Sequence, residues 1–110
     1  MFKMLFSSNI INMVCNDIAD NKTNLQVTEL LIEELSELIQ AVVKLERWDI
    51  GETTLRYNID EIYNNLYEEI GDVIIMLLQF ICKNKLSQEI IYDKISEKLI
   101  RYYETISDKK

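Results

Sequence analysis

Two pairs of acidic residues lie at the edges of apolar helical faces in this chain. Glu34 and Glu37 are three residues apart in one apolar-periodic stretch, and Glu69 and Asp72 have the same spacing in the next. Side chains three residues apart share one face of a helix, about 5–6 Å from each other, so the carboxylates of each pair converge. An ionised carboxylate beside apolar side chains loses hydration at a cost of several kcal/mol. Both pairs therefore need a compensating positive charge.

A divalent cation is the charge that best suits these side chains. The chain has no histidine, which excludes histidine-ligated zinc, glutamate–histidine di-iron sites and histidine-based nucleophilic triads. Hard cations such as Mg²⁺ and Mn²⁺ prefer oxygen ligands, so the pattern indicates Mg²⁺ if the two helices pack side by side. A second interpretation is open, because a Glu-x-x-Glu spacing also occurs on solvated helix faces.

The elements that position these residues are predicted to be helices. The 110 residues include no proline and two glycines, which disfavours the frequent turns of an all-β fold. Apolar periodicity and polar breaks predict four helices: residues 9–19, from a Thr28 cap to 46, 60–84, and from a Ser87 cap to 106. The segment at 47–58 is predicted to be irregular. We expect an all-α, four-helix bundle that forms a single domain over residues 1–110, with neighbouring helices antiparallel.

Charge and composition exclude several classes of partner. The net charge of −7 repels nucleic acid, and the longest apolar run, residues 73–82, is too short to cross a membrane. No segment has the features of a targeting signal, and the two distant cysteines are typical of free thiols in a reducing compartment. We therefore expect a cytoplasmic protein without nucleic-acid or membrane partners. The third helix is apolar on almost every side, which predicts homo-oligomerisation through it.

The acidic stretches also resemble a known family. Residues 33–41 read EELSELIQA and residues 65–74 read NLYEEIGDVI. This pair of motifs resembles the MazG-like nucleotide pyrophosphohydrolases, whose signature is Glu-Glu-x-x-Glu followed by Glu-x-x-Asp. The resemblance covers about residues 30–103. It includes KISEKLIRY at 94–102, which is similar to a Lys-x-Asn-x-Lys-x-x-Arg-like stretch of the family, although Ser96 stands where many members have asparagine.

The resemblance implies a bundle completed by homo-oligomerisation, as a dimer or tetramer. It also implies hydrolysis of (deoxy)nucleoside triphosphates to a nucleoside monophosphate and pyrophosphate. Four carboxylates would be catalytic ligands of Mg²⁺, with Mn²⁺ as a substitute: Glu34, Glu37, Glu69 and Asp72. Three cations would bind the phosphate chain, although they could equally form a solvated face that pairs with Glu97: Lys94, Lys98 and Arg101. Glu33 is a candidate acceptor for the proton of the attacking water. Lys44 either binds substrate phosphate or complements the dipole of its helix.

Two other functions are compatible with the same residues. The metal site could act on an alarmone such as guanosine tetraphosphate. Alternatively, the acidic edges could bind a basic protein partner in a helical module without catalysis. The sequence predicts neither the preferred base or sugar nor the number of metal ions, and pool sanitation, stress signalling and viral replication would all use this chemistry.

Overall fold

The computed structural model describes residues 9–51 and 58–108, which form four α-helices and no strand. The helices are α1 (Asn9–Asp20), α2 (Asn24–Asp49), α3 (Ile59–Lys83) and α4 (Gln88–Asp108). The predicted all-α class is confirmed. The segment predicted to be irregular, 47–58, begins with three residues that belong to α2, and most of its remainder lies outside the described residues.

The beginning of α2 differs from the prediction. The structure caps this helix with Thr23 and not with Thr28. The Thr23 hydroxyl accepts a hydrogen bond from the Gln26 amide at 3.1 Å, and the Gln26 side chain accepts one from the Thr23 amide at 2.9 Å. This reciprocal capping box starts the helix inside the polar run 20–24, where the sequence pattern predicts a break between helices. Thr28 lies within the helix, where its hydroxyl donates to the Asn24 carbonyl.

The other helix ends also have local causes. After α2 the backbone turns at Gly51, whose φ of +77° is in the left-handed region that favours glycine. The Asn58 side chain caps α3 by accepting from the Glu61 amide at 2.9 Å. The predicted cap at Ser87 is confirmed, since its hydroxyl accepts from the Ile90 amide at 3.2 Å. These ends leave both acidic pairs in the interiors of long helices, away from fraying termini.

Helices α2 and α3 pack antiparallel through two small apolar clusters. The first joins the beginning of α2 to the second half of α3 through Val27, Leu31 and Met76. The second joins the second half of α2 to the beginning of α3 through Ala41, Ile62 and Leu66. Both acidic pairs lie between these clusters along the helix axes, so the packing that holds the helices together also brings the pairs opposite each other.

Helix α1 packs on the second half of α3. The Lys22 ammonium donates to the Gln79 side chain at 3.0 Å, and the Lys83 ammonium donates to the Ala19 carbonyl at 3.1 Å. The buried face of α1 consists of Ala19 and Cys15, and both cysteines of the chain are free, as predicted. The apolar residues at helical spacing in this segment are exposed instead: Ile10, Ile11, Val14 and Ile18.

A single chain leaves much apolar surface uncovered. Helix α4 contains no buried residue, and its exposed side chains include Leu99, Tyr102 and Ile106. The α2–α3 pair has a second exposed set, spaced at four and three residues on each helix, here called the apolar face: Leu35, Ile39, Val42, Tyr63, Tyr67 and Ile70. The radius of gyration is 17.3 Å, against about 13 Å for a compact domain of this length. None of the helices in the described ranges is long and apolar enough to cross a membrane.

The capping box of α2 gives a direct stability prediction. Replacing Thr23 with alanine removes a side-chain acceptor from the first turn, and we expect it to lower the free energy of unfolding by about 1 kcal/mol. The matched control is Thr28→Ala, which we expect to change stability by less than about 0.5 kcal/mol, since this residue lies inside the helix. Urea denaturation followed by circular dichroism measures both. A larger loss for Thr28→Ala would contradict the observed helix start.

Candidate metal centre

The acidic site is built from the central turns of α2 and α3. Glu34 and Glu37 lie on α2, and Glu69 and Asp72 lie on α3. The i, i+3 spacing turns both members of a pair toward the same side of their helix. Because apolar clusters fix the two helices on both sides of these turns, the carboxylates cannot separate without loss of the packing.

Three of the four carboxylates meet. One side-chain oxygen from each of Glu34, Glu37 and Glu69 lies within 4.8 Å of the other two. Oxygen ligands lie about 2.0–2.6 Å from Mg²⁺ or Ca²⁺, so ligands of one ion are separated by at most about 5 Å. The three oxygens are therefore near enough to one another to be ligands of one hard cation.

Two oxygens in this cluster lack compensation from the chain. Among the described residues, Glu34 Oε2 and Glu69 Oε2 are buried and have no hydrogen-bond partner. A buried carboxylate oxygen without a hydrogen bond is unfavourable, because its hydration is lost and nothing replaces it. A cation would satisfy both oxygens at once. These residues therefore fit a divalent metal on the chemistry of the donor set as well as on its spacing.

Burial and neighbouring negative charges also raise the pKa values of two glutamates in the cluster. Burial raises the pKa of Glu34, and the charges of Glu37, Asp72 and Glu69 raise it further. Burial also raises the pKa of Glu69, with additional contributions from Glu37 and Asp72 and a smaller one from Glu68. Asp72 is exposed and does not belong to the set of three converging oxygens. Its charge nevertheless acts on both half-buried glutamates, which places it beside the cluster.

The other predicted site residues lie further out. Glu33 is exposed on α2, next to Glu34 in the sequence. Lys94, Lys98 and Arg101 are exposed on α4, and none of them makes an ion pair with the four carboxylates within the described ranges. The Lys94 ammonium instead lies 3.7 Å from the Glu97 carboxylate in an exposed pair. A single chain thus brings the acidic residues together without these three cations.

Lys44 lines a cavity that the sequence analysis does not predict. This cavity, of about 280 Å³, lies between α2 and α3 and is also lined by Glu61, Ile62 and Asn65. Asn65 precedes Glu69 by four residues, so it lies on the same face of α3 one turn away. That spacing is visible in the sequence, and it could have identified Asn65 as a residue beside the acidic site.

No curated protein and no solved structure matches the chain. A family model described as the MazG nucleotide pyrophosphohydrolase domain matches residues 22–106. The matched range contains both acidic pairs and the three cations of α4, and it spans all of α2 and α3 and most of α4. The resemblance seen in the motifs is therefore confirmed over most of the chain. This protein belongs to the family of MazG nucleotide pyrophosphohydrolases.

Proposed function

We propose that this chain is a Mg²⁺-dependent hydrolase of (deoxy)nucleoside triphosphates that releases a nucleoside monophosphate and pyrophosphate. The observation that carries the proposal is the convergence of Glu34, Glu37 and Glu69 at a spacing suited to a cation. It occurs in a family of nucleotide pyrophosphohydrolases that are generally dependent on divalent metals. Hydrolysis of a phosphoanhydride needs neutralised phosphate charge and an oriented water more than it needs a protein nucleophile.

The acidic residues would hold the metal. Glu34, Glu37 and Glu69 would bind Mg²⁺ through the oxygens that already converge, and Asp72 would complete the set from the exposed side. Mn²⁺ could replace Mg²⁺, since both accept ligands that are entirely oxygen. When bound, such a cation neutralises charge on phosphate oxygens and lowers the pKa of a water. The chain contributes a fixed scaffold, because two apolar clusters hold the ligands on both sides.

The remaining polar residues would act on water and substrate. Glu33 exposes its carboxylate beside the cluster and would accept the proton of the attacking water. Arg101 would bind phosphate oxygens in a bidentate manner, and Lys98 and Lys94 would add positive charge. Lys44 would also bind the substrate from the cavity at the edge of the α2–α3 pair.

Homo-oligomerisation is part of the proposal. Helix α4 has no buried residue, and the apolar face of the α2–α3 pair is exposed. Association of two or four copies would bury these apolar side chains, and adjoining exposed apolar residues are typical of an interaction surface. It would also fix α4, whose cations need a defined position in order to bind phosphate.

The burial of the acidic residues favours a metal site over a non-catalytic module. A surface that binds a basic protein partner must expose its carboxylates to that partner. In contrast, Glu34 Oε2 and Glu69 Oε2 are buried without a hydrogen-bond partner among the described residues, a position that suits a small cation better than a bulky side chain. We therefore propose a single hydrolase domain over residues 1–110 in preference to a non-catalytic module.

Neutralising one ligand tests the site assignment. We expect Glu37→Gln or Asp72→Asn to reduce pyrophosphate release about 100-fold or more, because each removes a charge from the metal-binding set. The oligomer, measured by light scattering, should be unchanged. Glu46→Gln is the matched control, since this exposed glutamate lies on α2 outside the cluster and should retain full activity. A normal rate for either ligand variant would show that the site is wrongly assigned.

Metal binding should stabilise the fold in a pH-dependent manner. The raised pKa values of Glu34 and Glu69 mean that the folded, metal-free chain binds protons more tightly there than the unfolded chain. The stability contributed by these groups therefore falls as the pH rises through their raised pKa values. Mg²⁺ binds the deprotonated carboxylates, so its effect should be greater at about pH 7.5 than at about pH 5.

At a concentration of Mg²⁺ 100 times its dissociation constant, we expect a stabilisation of about 2.7 kcal/mol. Thermal unfolding with and without MgCl₂ at the two pH values measures it. Glu37→Gln should reduce the increase in Tm. Equal Tm values with and without Mg²⁺ or Mn²⁺ at the higher pH would refute the metal site.

A charge introduced on α4 tests the oligomer. Leu99 is 61% exposed in the single chain, so Leu99→Glu should leave the fold of a monomer intact. If α4 is an interface, the buried charge should shift the protein from a dimer or tetramer toward the monomer mass of 13.0 kDa. Ser107→Glu adds the same charge to α4 at a polar position and should not dissociate the oligomer. Light scattering that gives a monomer for the unmodified chain would contradict the prediction.

A further inference from the structure

The cavity beside Lys44 begins one helical turn from the acidic cluster. Asn65 lies four residues before Glu69, about 6 Å along the axis of α3. Lys44 follows Glu37 by seven residues, which returns it to the same side of α2 after two turns. Both residues line the cavity. A substrate whose phosphates lie at the acidic cluster can therefore extend into it along the groove between the two helices.

A second cavity, of about 370 Å³, lies in the opposite direction, where residues 21 and 22 and the first two turns of α2 line it, and α1 packs beside it on α3. Gln79 follows Asp72 by seven residues on α3 and is 2% exposed. Lys22 of α1 donates to its side chain at 3.0 Å, and Lys83 ties the end of α1 to the same helix. A nucleotide therefore has a cavity in each direction from the cluster, and the cavity beside Lys44 is the one lined by both helices that carry the acidic residues.

The lining suits a neutral base better than a phosphate. Glu61 contributes a carboxylate that would repel a phosphate, and this carboxylate is held in place because Asn58 donates to it at 3.3 Å. Ile62 is 2% exposed and contributes an apolar wall. A cavity of about 280 Å³ is slightly below the usual range of about 300–1,000 Å³ for whole drug-sized ligands, so it suits one ring system.

Two polar groups at the cavity can recognise the edge of a base. The side-chain amide of Asn65 offers both a donor and an acceptor. It is half-buried and makes no hydrogen bond to another described residue. Lys44 offers donors and no acceptor. A base that carries a carbonyl oxygen gives Lys44 an acceptor, whereas adenine presents an exocyclic amino group, which is a donor, at the corresponding position.

We propose that the cavity lined by Lys44, Glu61, Ile62 and Asn65 binds the nucleobase of the substrate and prefers bases with a carbonyl oxygen to adenine. This inference rests on the proposed function, since it assigns the base of the nucleotide whose phosphates lie at the acidic cluster. Lys44 is the residue that determines the preference, since it has donors only, and Asn65 adds a hydrogen bond to a base of either kind. Ile62 supports one side of the ring.

Hypoxanthine and adenine provide a matched pair, because they share the purine ring and differ at the carbonyl or amino group. Calorimetric titration of the full chain with dIMP and dAMP in the presence of Mg²⁺ measures the preference without a need for turnover. We expect dIMP to bind about tenfold more tightly, equivalent to about 1.4 kcal/mol. Lys44→Met should reduce the ratio below about threefold, chiefly by weakening dIMP, whereas Asn65→Leu, which is similar in size, should weaken both ligands.

The controls separate base recognition from a general effect on the fold. Asn64→Leu makes the same change at the neighbouring asparagine, whose side chain bonds to Glu68 outside the cavity, and should preserve both affinities and their tenfold ratio. Lys44→Arg keeps the cation and should preserve most of it. Four results would overturn the proposal: equal affinity of the unmodified chain for dIMP and dAMP, no binding of either, an unchanged ratio in Lys44→Met, or unchanged affinity of Asn65→Leu for both ligands.

The proposed function is tested separately by the release of pyrophosphate from dITP. A chain that prefers dIMP to dAMP and releases no pyrophosphate would refute the hydrolase and leave the base pocket standing. A chain that releases pyrophosphate from dITP and dATP with equal kcat/KM, and binds dIMP and dAMP equally, would refute the pocket and leave the hydrolase standing.

Discussion

The repulsion between half-buried carboxylates is the constraint on which the rest of this structure depends. Two apolar clusters hold α2 and α3 together on both sides of the acidic turns. The hydrophobic packing therefore opposes the repulsion between the carboxylates that lie between these clusters. Separating the helices would relieve the repulsion and expose both clusters to water. The chain therefore keeps Glu34 and Glu69 partly desolvated, with raised pKa values. Under the proposed function, the affinity for a cation would come from this arrangement, because the ligands would be brought together before the ion binds.

The two sides of the α2–α3 pair have opposite character. One side carries the acidic cluster and the cavity beside Lys44, and the other carries the apolar face. Under the proposed function, α3 would bind the substrate on one side and a second copy on the other, and the angle around its axis would separate these tasks. The proposal thus accounts for the presence of Glu69 and Asp72 on a helix that is otherwise apolar over much of its circumference.

The sequence predicts those features that depend on neighbours within one helix. The acidic pairs were identifiable because a spacing of three residues places both side chains on one face of a helix. The cap at Ser87 was identifiable because a capping side chain bonds to the first turn of its own helix. The true start of α2 was missed, since a capping box at Thr23 and Gln26 resembles an ordinary polar break. The exposure of Ile10 and Val14 was not predictable from periodicity, because the partner of α1 is α3 and the contact uses Ala19 and Cys15. Asn65 gained its importance only from the cavity that two helices form together.

A metal site of this kind links stability to function. Each carboxylate that improves binding of the cation adds repulsion to the metal-free chain, so the residues most useful for chemistry destabilise the fold that positions them. With its few small apolar clusters, a chain of 110 residues has little core with which to offset this cost. Burial of the apolar face and of α4 between copies would supply the missing stabilisation. Oligomerisation and metal binding would then act on the same α2–α3 pair. Contacts between copies would offset the repulsion among the carboxylates that the metal site requires.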